Sequence, residues 1–391
     1  VFDQAKDKGA KGEAFNVLEQ RLNAPNKASI DPPQDQLQRL INLYQQGQLQ
    51  QTLDSAKQLL SQFPDSLTLY NIQGAANARL DQFDAAIDSY KQALKIKPDY
   101  ADAYYNMAAA LKSKGDLGAA IDSYKKAIQS KPDYADAYLN MGNVLKDKGD
   151  LEAAIDSYQK AIKIKPDYTD AYSNMGAALK EKGDLGAAIN SYKQALKIKP
   201  DHAGAFNNMG NVLKDKGDLE AAIDSYQKAI KIKPDYAEAF NNMGVALFDN
   251  GDLKAALNSY KKAIQSKPDY ADAYLNMGIA LKNKGDLVAA IDSYQKAIKI
   301  KPDYAEAYYN MGISLNSIAF KKPKCGLMEV IISLLDQRTS CRPKDIAPAA
   351  ISLLKLEPTW KELLEKHSIG TLRQSLQETI STLAELPLLL K

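Results

Sequence analysis

The chain has 391 residues, 45% of them apolar, and its 51 Lys and Arg against 48 Asp and Glu leave a formal charge of +3. That apolar share is too high for a disordered polymer, the near-neutral balance advertises no field for nucleic acid, and no apolar run approaches the roughly 18 residues a membrane span needs. Two cysteines and two histidines (Cys325, Cys341, His202, His367) exclude a disulfide framework and leave most metal and acid/base chemistry short of parts.

Residues 1–32 open with VFDQAKDKGAKGEAF, which has no apolar core of a signal peptide, so a cytoplasmic compartment is expected. A short helical pattern runs from Ala14 to Leu22, and Asp31-Pro32-Pro33 reads as a linker. From there a period governs the chain. Pro64, Pro98, Pro132, Pro166, Pro200, Pro234, Pro268 and Pro302 follow one another at steps of 34, as do Gly115, Gly149, Gly183, Gly217, Gly251 and Gly285. Eight repeats fill 33–304, and self-similarity at this length marks a repeat architecture.

Each repeat predicts two helices. In 135–168, Tyr138, Met141, Gly142 and Leu145 fall on one helical face. Gly149 then closes the first helix in the left-handed region, and the Asp150 carboxylate caps the second. Leu151, Ala154, Ile155, Tyr158, Ala161 and Ile162 form the buried stripe of that second helix, which Pro166 ends. Gly142 and Ala154 are small where the two axes come close. The repeat at 67–100 has Asp81 in place of the turn glycine. The one at 33–66 has Gln36 and Arg39 where apolar residues belong, which predicts a first helix shifted in register.

Numbered within the repeat, Tyr104, Met107, Ala108, Leu111, Ala120, Tyr124, Ala127 and Pro132 occupy positions 4, 7, 8, 11, 20, 24, 27 and 32. This pattern resembles the tetratricopeptide repeat (TPR), and the resemblance covers about 70% of the chain, residues 33–304. It implies an all-α fold: a right-handed superhelical solenoid of helical hairpins, first helices lining a concave groove, with a helical cap at each end. The expected domains are 1–32, an N-terminal helix and linker; 33–320, the solenoid including a last first helix from Ala305; and 321–391. The final segment reads as three or four shorter helices, either a cap or the start of a further domain.

On a wheel of about 100° per residue, positions 2, 6, 9 and 13 lie nearly opposite the packing face. Position 6 is Asn106, Asn140, Asn174, Asn208, Asn242, Asn276 and Asn310; Asn71 sits one residue early. Position 2 is acidic at Asp102, Asp136, Asp170, Glu238, Asp272 and Glu306, with Gly204 between. Position 12 is basic at Lys112, Lys146, Lys180, Lys214 and Lys282, with Phe248 and Asn316 as exceptions. A carboxamide both donates and accepts, so an asparagine ladder suits the main chain of an extended peptide. Positions 5 and 9 vary and are expected to give each repeat its own pocket. Against this stands the bland reading that duplication copied solvated asparagines with no ligand.

The phrases Asp136-Ala137-Tyr138-Leu139-Asn140-Met141-Gly142-Asn143 and Leu179-Lys180-Glu181-Lys182-Gly183 are similar to repeats of the O-linked N-acetylglucosamine transferase type. That resemblance implies a substrate-binding module without its catalytic domain. The expected function is therefore a non-catalytic scaffold, with no cofactor, no metal and no nucleic acid, binding an extended protein or peptide partner in the groove. The alternative is the recognition arm of a larger protein-modifying transferase. Self-association through the terminal helices is a third expectation. His202, where sister repeats carry Tyr, is expected to pack as a substitute for that ring.

Overall fold

The computed structural model describes residues 30–316, and among them every regular element is a helix. The expected helices within 1–29 and 317–391, together with Cys325, Cys341 and His367, lie outside the described residues. The chain forms two compact units, Val1–Ala178 and Leu179–Lys391.

In the first unit the hairpins are α1 (Gln34–Gln45) with α2 (Leu49–Gln62), α3 (Leu67–Arg79) with α4 (Phe83–Ile96), α5 (Ala101–Lys114) with α6 (Leu117–Ser130), and α7 (Ala135–Asp147) with α8 (Leu151–Ile164). α9 (Thr169–Lys182) follows, and one unit ends and the next begins within it. The second unit continues with α10 (Leu185–Ile198), α11 (Ala203–Asp215), α12 (Leu219–Ile232), α13 (Ala237–Asp249), α14 (Leu253–Ser266), α15 (Ala271–Asn283), α16 (Leu287–Ile300) and α17 (Ala305–Asn316).

Two residues make each hairpin turn. Gly115 has φ +92°; its N–H donates to the Lys112 carbonyl and the Asp116 N–H to the Leu111 carbonyl, both at 2.9 Å. These two bonds satisfy orphan carbonyls at the end of α5. Asp116 then turns its carboxylate on the next helix, accepting from the Ala119 N–H at 3.0 Å. The same pair recurs at Gly149-Asp150, Gly183-Asp184, Gly217-Asp218, Gly251-Asp252 and Gly285-Asp286. The two N-terminal repeats depart from it. Asp81 takes φ +57° without being glycine, and neither Gln48 nor Gln82 caps its helix through its side chain.

Within a hairpin the close approach is literal. A Cβ at Gly142 would lie 2.6 Å from the Tyr158 ring, and one at Gly210 2.6 Å from Tyr226. Ala154, Ser157, Tyr158 and Ala161 are buried, and the Ser157 hydroxyl donates back to the Ala153 carbonyl at 2.8 Å. Consecutive helices pack on one another from α1 to α8 and from α10 to α17, and first helices also touch the first helix of the following repeat, as α5 touches α7 and α13 touches α15. Second helices do not approach one another to that extent, so the first helices take the inner side of each stack. Each unit is an all-α solenoid of repeats.

The expected register shift at 33–66 does not occur. Leu40 is buried at position 8, and Gly47 takes φ +76° at position 15, as Gly115 does in its own repeat. Turn and core thus keep α1 in register. Arg39 is left exposed beside Asp35 at 3.9 Å, and Gln36 is half-buried.

Candidate functional site

The asparagine row lies where each first helix meets the next, and its amides are partly spent there. In the first unit the Asn106 Nδ2 donates to Asn71 Oδ1 at 2.8 Å, Asn140 Nδ2 to the Tyr105 hydroxyl at 2.7 Å, and Asn174 Nδ2 to Asn143 Oδ1 at 2.9 Å. In the second unit Asn242 Nδ2 donates to Asn207 Oδ1 at 3.1 Å and Asn276 Nδ2 to Asn241 Oδ1 at 3.0 Å. Most of these bonds join position 6 of one repeat to position 5 of the repeat before. Asn71, which looks displaced by one residue in the sequence, is the accepting end of the first of them. Asn208 accepts from Asn207 Nδ2 at 3.4 Å. Asn310 is turned otherwise: its Nδ2 donates to the Glu306 carbonyl, and its Oδ1 accepts from Lys282 Nζ at 3.0 Å.

The carbonyl side of the row stays available except at Asn140, Asn208 and Asn310, whose Oδ1 atoms accept from Asn143, Asn207 and Lys282. Among the described residues, Oδ1 of Asn106, Asn174, Asn242 and Asn276 accepts no hydrogen bond, and all four side chains are half-buried. An acceptor fixed on the neighbouring repeat takes the Nδ2 of the same amide and holds it in a set orientation. The consequence is a line of pre-oriented acceptors in each unit.

The acidic and basic rows interlock repeats too. The hydroxyl of Tyr134, in the loop before α7, donates to Asp102 at 2.9 Å, Tyr168 donates to Asp136, and Tyr304 donates to Asp272 at 2.6 Å. Burial, then the hydrogen bond and charge of the carboxylate, push these phenols well above their ordinary range. Lys112 Nζ meets Asp147 at 3.0 Å and Lys180 Nζ meets Asp215 at 3.0 Å, with Lys214 on the other oxygen of Asp215 at 3.4 Å. Burial raises the Asp215 carboxyl, but the hydrogen bond and charge of Lys180, aided by Lys214, outweigh it and hold the group below its usual value. Asp170 keeps the register of the acidic row and is exposed; Lys146 is half-buried in that of the basic row.

Positions 5 and 9 separate in the structure. Position 5 is not open to a ligand in most repeats: Leu275 is 3% exposed, Asn207 and Asn241 6%, and Leu139 8%. The following first helix covers it, which the wheel of a single helix does not reveal. Position 9 remains half-buried or exposed at Ala109, Asn143, Ala177, Asn211, Val245, Ile279 and Ile313. Asn143 and Asn211 there accept from the hydroxyls of Tyr158 and Tyr226 at 2.9 and 2.8 Å. His202 caps rather than packs: its Nδ1 accepts from the Ala205 N–H at 3.1 Å, at a place where Tyr134 and Tyr236 make no such bond. Sequence reasoning missed the loop tyrosines and the position-13 aspartates as partners. Their signal was a recurring offset of about one repeat between complementary types, visible at Asp102 and Tyr134 or Lys112 and Asp147.

No group of three His, Cys, Asp or Glu suited to a metal occurs among the described residues, and no described helix is long and apolar enough to cross a membrane. A family model described as TPR repeat matches the sequence seven times, over 74–115, 109–149, 142–183, 178–215, 210–251, 246–285 and 280–315. None of the curated proteins matches the chain. Among solved structures, the C-terminal part of a TPR repeat-containing protein from Cytophaga hutchinsonii is 17% identical with a TM-score of 0.50, covering 61% of this chain and 98% of its own. YrrB, titled a TPR protein with an unusual peptide-binding site, is 27% identical over 48% of this chain and 96% of its own, with a TM-score of 0.39. MamA is 28% identical over 41% and 95%, with a TM-score of 0.40.

Proposed function

The chain belongs to the TPR repeat family, and on that premise we propose that it is a non-catalytic protein-interaction scaffold holding an extended polypeptide along the first helices of each unit. The observation that carries this reading is the set of unengaged Oδ1 atoms on Asn106, Asn174, Asn242 and Asn276, each fixed through its own Nδ2. Such acceptors take main-chain N–H groups, which every residue but proline supplies, so the row grips backbone and tolerates varied side chains. Selectivity then falls to position 9, polar at Asn143 and Asn211 and apolar at Val245 and Ile279. The acidic row of Asp102, Asp136, Asp170 and Asp272 and the basic row of Lys112, Lys146, Lys180 and Lys214 flank the path. Their charge is already partly matched between repeats, so they bias the partner only mildly.

The test selects ligands from a displayed random-peptide library on the intact chain, then measures them on two triple variants. Asn106→Ala, Asn242→Ala and Asn276→Ala together remove donor and acceptor and are expected to weaken selected peptides by roughly a hundredfold. Asp at the same three positions keeps an acceptor oxygen but loses the Nδ2 that fixes it, and is expected to bind between the parent and the alanine triple. Selected peptides that bind the alanine triple as well as the parent would refute the ladder. The likeness of the repeat phrases to the glycosyltransferase type carries a second reading, a substrate-recognition arm. It requires a catalytic domain in the same open reading frame, which sequencing the source gene decides.

A further inference from the structure

Away from the asparagine row, the second-helix side of one hairpin is charged unlike its neighbours. The lysine at position 14 of a repeat stands beside position 18 of the repeat before, as Lys114 Nζ does with Asp84 at 2.5 Å. At the corresponding seam of the second unit, Lys284 is set beside Lys254, and both line one cavity of about 760 Å³ together with Lys261. Position 22 usually supplies an acid to the lysine one turn on: Asp122 lies 3.8 Å from Lys125, Asp156 2.7 Å from Lys160, and Asp224 2.7 Å from Lys228. In this hairpin that place is Asn258, which also lines the cavity.

Among the described residues no carboxylate pairs with Lys254, Lys261 or Lys284. Lys262, by contrast, is occupied over the Phe240 ring at 5.6 Å. Like charges at a seam oppose packing, and the fold does not require them, since position 18 is Gly186 in another repeat of the same unit. One acid does line the cavity, Asp252, but its carboxylate is engaged in capping α14 through the Ala255 N–H at 2.9 Å.

We propose that this cavity is a second interaction site, independent of the first-helix row, that receives the carboxylates of an acidic polypeptide segment with an apolar side chain between them. The lining favours such an occupant over a compact phosphate. Of the backbone N–H groups that would grip phosphate at the start of α14, that of Ala255 already donates to Asp252 and that of Leu253 to the Gly251 carbonyl. The lysines are point charges without the planar fork that holds phosphate in two places. Apolar Leu253, Ala255 and Leu257 line the same cavity as the three lysines.

A short fluorescent peptide with glutamates flanking a leucine, titrated at low ionic strength into the full chain carrying Asn106→Ala, Asn242→Ala and Asn276→Ala so that the first-helix row is silenced, tests this. One site is expected, weakening as salt is added. Lys254→Glu is expected to weaken the peptide by at least roughly tenfold and to raise Tm, because the new carboxylate meets Lys284 as Asp84 meets Lys114. Asn258→Asp, which returns an acid to Lys261, is expected to give a smaller loss. Gly186→Lys, beside Lys193 and Lys216, is expected to raise the stoichiometry from one site to two. The proposal is overturned by absence of binding, by an affinity that Lys254→Glu leaves unchanged, or by inorganic pyrophosphate displacing the peptide at equal or lower concentration.

Discussion

Second helices and first helices carry different burdens in this chain. In α8 the buried face is Ala154, Ser157, Tyr158 and Ala161, and in α12 it is Ala222, Ser225, Tyr226 and Ala229, the same types at the same places. The first helices α7 and α13 bury Leu139 and Asn241 at one equivalent position and present Asn143 and Val245 at another. From the repeat at 67–100 onward a second helix meets a constant neighbour, the small residue at position 8 of its own hairpin, so one solution serves those repeats; at 33–66 the sizes are exchanged, with Leu40 at position 8 facing the helix that carries Ala56. A first helix meets both its own hairpin and the next repeat's first helix, and its remaining face is open. Variation there alters what the surface offers without disturbing the stack.

The sharpest way to break that comparison is alkali. Burial pushes the second-helix phenols up, Tyr192 to about 12 and Tyr124, Tyr226 and Tyr260 further. A phenol raised above its unfolded value of about 10 contributes stability that is intact below pH 10 and is lost as pH climbs through the folded value. For Tyr192 the expected loss is about 1.4 kcal/mol per pH unit between roughly 10 and 12. Summed over the row, it exceeds any single substitution. Urea melts at pH 8 and at successive steps above 10, with phenolate absorbance followed in parallel, check it; a flat midpoint contradicts the buried row.

Tyr226→Ala comes next. It opens a cavity beside Gly210 and strands Asn211, and the expected cost is about 3–5 kcal/mol in urea unfolding. On the first helices Asn242→Ala removes one bond to Asn207 in a half-buried place and is expected to cost only about 1 kcal/mol. A loss for Asn242→Ala matching that for Tyr226→Ala would erase the division of burdens. Smallest is a gain at the N-terminal turn. Asp81→Gly relieves a φ of +57° and is expected to stabilise by about 0.5–1 kcal/mol, read as a small rise in Tm.

Much of the fold was legible residue by residue. The Gly-Asp turn, the capping aspartate and the glycine facing a tyrosine ring all act within one hairpin, where spacing along the chain implies spacing in three dimensions. The site was legible in part. The asparagines stand out at steps of 34, yet their donors go to residues 35 or 31 back, and a one-helix wheel treats Asn207 and Leu275 as surface. The expected shift at 33–66 failed for the opposite reason: it rested on polar Gln36 and Arg39, whereas the burial of Leu40 and the turn at Gly47 hold the helix in register.

The sequence by itself determined the period, the helices, their turns and caps, and the residue types on each face. These follow from interactions between near neighbours, the i to i+4 bonds of the helix and the left-handed glycine. Tertiary structure alone decided which atom of each asparagine is spent and which is left over, which aspartate takes a phenol and which a lysine, and where two lysines share a seam unpaired. Those outcomes depend on how far one repeat advances and rotates past the last. That displacement comes from the packing of whole helices and is written in no single stretch of residues.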